Sequence, residues 1–242
     1  MRTVGVIQAR TGSTRLPGKV LLPLLGEPVL AHVVRRVARA RLLDEVVIAT
    51  TVEIGDDAIE ELARVSGWAC VRGSEADLVD RYLLAAHSHR ADVVVRVTSD
   101  CPLIDPEVID GVVAALVGGR ADYASNTLPP RTYPRGLDAE ALTVEALERA
   151  DREDVDPASR EHATPYLYGH PELFRLVPVP LPGGEDHADL RWTLDTPEDY
   201  QLITAIYEEL GDDTFTWRDA LAATERNPAW AGINGHIRQK HL

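Results

Sequence analysis

Apolar and polar positions along the chain fall into two alternating kinds of block. Thr3-Val-Gly-Val-Ile7 is a largely β-branched run with no polar face and reads as a buried strand. Val46-Val-Ile-Ala-Thr50 and Asp92-Val-Val-Val-Arg-Val97 repeat the pattern, with a shorter run from Trp68 to Val71. Between them the spacing turns helical: Pro28 to Leu43 with a basic outer face, Gly55 to Val65, and Asp77 to His89. Further helices are predicted from Pro106 with Asp105 as N-cap, over Val144 to Asp151, and from Ser159 as N-cap. Glu198 to Leu210 and Trp217 to Glu225 complete the set as packing helices, while Gly232 to Leu242 reads as frayed or as an oligomer contact. Phe174 to Pro180 and Asp189 to Thr193 read as strands added antiparallel to the sheet. Continuous apolar strands alternating with helices predict an α/β fold whose parallel sheet is covered on both faces. At 242 residues, with no repeat and no linker, a single large domain suffices.

Ligands of open α/β sheets sit beyond the carboxyl ends of the strands. After Ile7 the chain breaks into a loop holding Gly12, Ser13, Thr14, Pro17 and Gly18, with Arg10, Arg15 and Lys19 among them. Glycines let successive N–H groups converge on an anion, and three cations with two hydroxyls suit a triphosphate. The chain has only two lysines, Lys19 and Lys240. A P-loop is excluded, since five residues separate Gly12 from Gly18 and Val20 follows Lys19. A solvated turn with its cations in water is the plainer alternative. The other strand ends offer Thr50-Thr51, Arg72-Gly73-Ser74 with Asp77, and Thr98-Ser99-Asp100-Cys101-Pro102. A carboxylate such as Asp100, ending a buried strand opposite a triphosphate, suits Mg²⁺; capping a turn is its ordinary alternative.

A net charge of −14 argues against nucleic acid and anionic membranes as partners, yet cations crowd the first segment. That distribution suits a small anionic ligand. Cys70 and Cys101 make neither a disulfide framework nor a metal set. No signal peptide opens the chain and no apolar run reaches transmembrane length, so a soluble cytoplasmic protein is expected.

Gln8-Ala9-Arg10…Ser13-Thr14-Arg15-Leu16-Pro17-Gly18-Lys19 resembles the opening motif of the sugar cytidylyltransferases, which make CMP-nonulosonates and CMP-3-deoxy-manno-octulosonate. The likeness runs along nearly the whole chain and is nearest to the spore-coat polysaccharide branch. It implies a three-layer α/β/α Rossmann-like nucleotidyltransferase fold, mostly parallel with a small antiparallel extension. CTP would occupy roughly residues 1–120 and the acceptor and a dimer partner 121–195, with C-terminal helices over 196–242. Motif and strand-end position together assign Gln8, Ala9, Arg10, Gly12, Ser13, Arg15, Lys19, Thr50, Ser74, Asp77, Ser99 and Asp100 to the nucleotide. Arg10, Arg15, Lys19 and Asp100 would be catalytic. The resemblance makes Asp195, within Leu190-Arg-Trp-Thr-Leu-Asp195-Thr-Pro-Glu-Asp, a second Mg²⁺ ligand beside Asp100. Thr196, Pro197, Glu198 and Asp199 are left to helix capping. Tyr133, Arg135, Asp138, Glu140, Arg160 and His162 fall in segments similar to the family's acceptor side. The implied reaction is in-line attack by an acidic sugar on the α-phosphorus of CTP, in a homodimer. A phosphate or phosphonate acceptor and a non-catalytic nucleotide-binding regulator remain open alternatives.

Overall fold

The apolar runs become strands within a residue or two of their expected ends. In the computed structural model, which describes residues 1–238, the chain forms β1 (Thr3–Gln8), then a small hairpin of β2 (Pro23–Leu24) and β3 (Glu27–Pro28). There follow α1 (Val29–Val37), β4 (Glu45–Thr51), α2 (Asp57–Ser66), β5 (Ala69–Gly73), α3 (Leu78–Ser88) and β6 (Val93–Thr98). The second half contains α4 (Pro106–Gly119), β7 (Tyr123–Ser125), β8 (Glu140–Thr143), α5 (Val144–Glu153), α6 (Pro157–Arg160) and α7 (Pro165–Gly169). It closes with β9 (Leu176–Pro178), α8 (Pro197–Leu210), α9 (Trp217–Arg226) and α10 (Ala231–Asn234).

The main sheet runs β5-β4-β1-β6-β8-β7-β9. β5, β4, β1 and β6 are mutually parallel. Alternate residues feed two cores: Ile7, Ile48, Val95 and Val97 lie under α1, α4 and α8, while Val4, Val6, Val47 and Val94 lie under α3 and α5. The expected α/β/α class with an antiparallel extension is what forms, but other residues build the extension. β8 is the strand antiparallel to both its neighbours, and the Phe174–Pro180 region gives only β9, parallel to β7.

Asp189 to Thr193 is not a strand. Trp192 and Leu194 are buried, but so are Arg191 and Thr193, so burial does not alternate, and the backbone bridges to the sheet region only between Arg191 and Arg135. Gly136 permits that contact: its φ is +102°, and a Cβ there would stand 2.5 Å from the Trp192 carbonyl.

Three local expectations change. Helix α1 stops at Val37 rather than Leu43, because Asp110 accepts the backbone N–H groups of Arg41 and Leu42 at 3.1 and 2.8 Å. Its basic face is not all outer: Arg36 is fully buried, donating to the carbonyls of Ile104, Asp213 and Phe215 at 2.6–3.0 Å. Arg35 and Arg39 pair with Asp213. The N-cap of α6 is Asp156, which accepts from Ala158 N at 3.1 Å, whereas the Ser159 hydroxyl is buried without a partner. Finally, Gly232 to Arg238 is not simply frayed, because Asn234 in α10 is buried; residues 239–242 of that expected segment lie outside the described residues.

Candidate active site

The opening loop is braced from within. Gly18 has φ +67°, a left-handed conformation that favours glycine, and it leads into a short 3₁₀ turn beginning at Lys19. Its N–H and that of Ser13 both donate to the Thr11 carbonyl, at 3.0 and 2.8 Å. Thr11 in turn donates its N–H and hydroxyl to buried Asp56 at 2.7 and 2.8 Å, which ties the loop to the end of β4. Burial would raise the Asp56 pKa, but the hydrogen bonds from Thr51 and Thr11 leave it below its ordinary value. Several loop amides are thus spent internally, so the cations, not a nest of N–H groups, are what the loop presents to an anion.

Lys19 is the centre of the arrangement. Its ammonium donates to Asp100 Oδ2 and to Asp195 Oδ1, both at 2.7 Å. Asp100 follows β6, and Asp195 lies just before the Thr196–Asp199 capping box that starts α8. Arg15 reaches Asp195 Oδ2 at 3.0 Å and Arg191 reaches it at 3.1 Å. Burial would pull the Lys19 pKa down, but the two aspartates outweigh it and hold it above the ordinary 10.5. For Asp100 burial is likewise outweighed, by Lys19 and the Thr98 hydroxyl, and its pKa falls below the ordinary 3.8.

Behind Asp195 stands a second layer the sequence did not announce. Arg191 makes paired hydrogen bonds to Asp199 at 2.9 and 2.8 Å. Asn234 donates to Asp199 and to the Arg191 carbonyl, both at 2.9 Å. The fully buried Asp199, assigned to capping alone, therefore also fixes the arginine that orients Asp195.

The other nucleotide candidates divide. Arg10 is exposed with Glu75 at 3.4 Å, and a Cβ on Gly12 would stand 3.7 Å from the same carboxylate. Ser13 and Ser74 accept from Leu16 N and Asp77 N, at 3.3 and 3.0 Å. Ala9 and Ser99 are buried and donate their N–H groups to Ala49 O and Gln8 O, both at 3.1 Å. Thr50 is fully buried with an unpartnered hydroxyl, so it faces the interior, not a nucleoside. Asp77 caps α3 and is claimed by Arg160, whose Nε lies 2.8 Å away.

The acceptor candidates divide too. Arg160 is spent on Asp77, Asp151 and the carbonyls of Asp151 and Asp154, and is a structural clamp rather than a ligand contact. Glu140 is not in a loop: it is buried in β8, paired with Arg96 and accepting from Tyr123 OH at 2.6 Å. Tyr133 packs into the core beside Trp217, with ring centroids 6.0 Å apart. Asp138 is held by Arg131. The Arg135 guanidinium makes no hydrogen bond or ion pair among the described residues, and burial with nearby Arg131 lowers its pKa. The His162 pKa is lowered by burial, opposed by Glu161 and assisted by Arg96 and Arg10. Cys101 is a buried thiol whose pKa burial raises, as filler should be.

A profile of cytidylyltransferases matches residues 4–217. The chain is 34% identical to the spore coat polysaccharide biosynthesis protein SpsF of Bacillus subtilis, over 91% of this chain and 96% of that protein. It is 45% identical to the 3-deoxy-manno-octulosonate cytidylyltransferase of Anaeromyxobacter dehalogenans, over 49% of each chain. The solved structure of a cytidylyltransferase from Leptospira borgpetersenii superposes with a TM-score of 0.90 at 35% identity, covering all of both chains. Among the described residues, no helix is long and apolar enough to cross a membrane.

Proposed function

The chain belongs to the cytidylyltransferase family, CTP-dependent nucleotidyltransferases, and from that premise we propose that it transfers CMP from CTP to an acidic, nonulosonate-like sugar. Pyrophosphate would leave, and the activated sugar would serve surface polysaccharide synthesis. One observation carries the reading: three segments far apart in sequence bring Lys19, Asp100 and Asp195 within 2.7 Å contacts at the carboxyl ends of β1 and β6.

Asp100 and Asp195 fit Mg²⁺. Both point an oxygen at the single Lys19 ammonium, so they converge on one cation position, and hard oxygen donors suit that ion. When bound there, it would neutralise phosphate charge and make the α-phosphorus more electrophilic. Arg10, Arg15 and Lys19 hold the triphosphate and stabilise the departing pyrophosphate, with Gly12 and Ser13 alongside. Ser74 would face the nucleoside. No covalent intermediate is needed, since phosphoryl transfer asks chiefly for positioning and charge neutralisation.

Arg135 is the cation left for the acceptor's acid group, with Asp138 beside it. With Arg160 spent and Arg131 on Asp138, one free guanidinium suits a carboxylate better than a dianionic phosphonate. Homodimerisation and a cytoplasmic location belong to the same reading and are carried over from the family. Pyrophosphate release with CTP and Mg²⁺ across a panel of acidic sugars and phosphonates tests it. Release with acidic sugars is expected; CTP binding without release from any acceptor would leave a nucleotide-binding regulator.

A further inference from the structure

Gln8 stands apart from the phosphate grip. It shares the face of β1 that carries Val4 and Val6, so its side chain turns toward α3. There its Oε1 accepts from Tyr82 OH at 3.0 Å and from Arg96 Nε at 3.1 Å. A guanidinium has no acceptor atom, so the Gln8 atom facing Arg96 is the oxygen. Arg96 is paired with Glu140, and the other Glu140 oxygen accepts from Tyr123 OH at 2.6 Å. Tyr82, Tyr123 and Glu140 are buried while Gln8 is partly exposed. The oxygen is thus held inward, while the two N–H bonds of Nε2 have no partner among the described residues and Gln8 is the last residue of β1.

The surroundings of that opening say what is read there. Glu140, in contact with Arg96, comes from the segment that the resemblance gives to the acceptor, whereas Asp77, given to the nucleotide, is locked to Arg160. Glu140 balances the Arg96 charge beside the Gln8 amide oxygen. This end therefore favours an uncharged polar group, in contrast to Arg135.

We propose that Gln8 is an acceptor-binding, specificity-determining residue whose amide donates to a neutral oxygen of the acceptor sugar, a hydroxyl or an N-acyl carbonyl. Arg96, Glu140 and Tyr123 are positioning residues that hold the amide in that orientation. The inference rests on the acidic-sugar reading above.

Gln8→Glu tests it with little structural disturbance, because the retained oxygen still accepts from Tyr82 and Arg96 while the outward N–H₂ becomes an acceptor. Melting temperature should hold, and calorimetric CTP affinity with Mg²⁺ should stay within about twofold. KM for whichever acidic sugar of the panel supports turnover should rise about tenfold, the scale of one lost hydrogen bond. Wild type should discriminate against the deoxy analogue of that sugar, and Gln8→Glu should lose the discrimination. A tenfold fall in CTP affinity with unchanged acceptor KM would give Gln8 to the nucleotide. Unchanged KM and discrimination would make it a packing residue. Turnover by wild type with phosphonates alone would sink the acidic-sugar reading instead, and Gln8→Glu would then be judged by the same two constants on the phosphonate.

Discussion

Among the described residues several cations lie between two carboxylates, and two of these arrangements are built for different purposes. Lys19 lies between Asp100 and Asp195, and Arg160 between Asp77 and Asp151. Arg160 uses its whole fork: Nε and Nη2 on Asp77, Nη2 also on Asp151, and Nη1 on two backbone carbonyls. That welds the N-cap of α3 to the end of α5 and to α6. Lys19 offers one compact ammonium, and its partners have other donors: Arg15 and Arg191 for Asp195, Thr98 for Asp100. Burial does not separate the two, since side-chain exposure is 18% for Arg160 and 11% for Lys19. Redundancy does. Acids that keep side-chain donors when their cation leaves can serve a ligand; without Arg160, Asp77 keeps only its cap bond from Asp80 N–H, and Asp151 has no other side-chain hydrogen bond among the described residues.

Breaking the Lys19 side should cost turnover most. Asp100→Asn is expected to lower pyrophosphate release on the order of 10³-fold, while calorimetry still detects CTP binding. Full turnover in that variant would remove Asp100 from the reaction. Lys19→Met should cost about 10²-fold in kcat, with a smaller effect on folding than its two ion pairs suggest, because Arg15, Arg191 and Thr98 remain. A melting curve as depressed as that of Arg160→Met would erase the proposed distinction. Asn234→Ala removes two hydrogen bonds behind Asp195 and should lower turnover about tenfold, with a stability loss of about 1–2 kcal/mol by urea titration. Arg160→Met sharpens the contrast from the other side: about 2–3 kcal/mol of stability lost, and near-normal turnover in the fraction that remains folded.

The smallest effect concerns pH. Asp56 titrates below its ordinary 3.8 when folded, so the stability it adds is complete above that value. It is lost as pH falls through the folded pKa. Asp56→Asn should flatten the acid limb of a stability-against-pH curve; an unchanged limb would free the opening loop from this anchor.

Local signals in the sequence carried far, and long-range ones did not. The strand running into Gln8, the Asp105 cap and the Thr196 cap depend on neighbours a few residues away, and all formed. Arg160, Glu140 and Tyr133 read as acceptor residues because their segments resemble the family's acceptor side; their partners Asp77, Arg96 and Trp217 lie far along the chain. Asp189 to Thr193 shows how alternating residue types can mislead: polar Arg191 and Thr193 are buried along with Trp192, and the backbone bridges only to Arg135. One signal was available and passed over. Arg96 is a lone cation inside an otherwise apolar strand, and a charge placed there must have a buried partner.

Asn234 lies later in the chain than every other residue that braces Asp195. During synthesis on the ribosome, the parallel strands and the phosphate loop can assemble well before that residue has been added. The reaction centre would then be finished last, and a chain stopped short of it would hold CTP while Asp195 lacked its last brace.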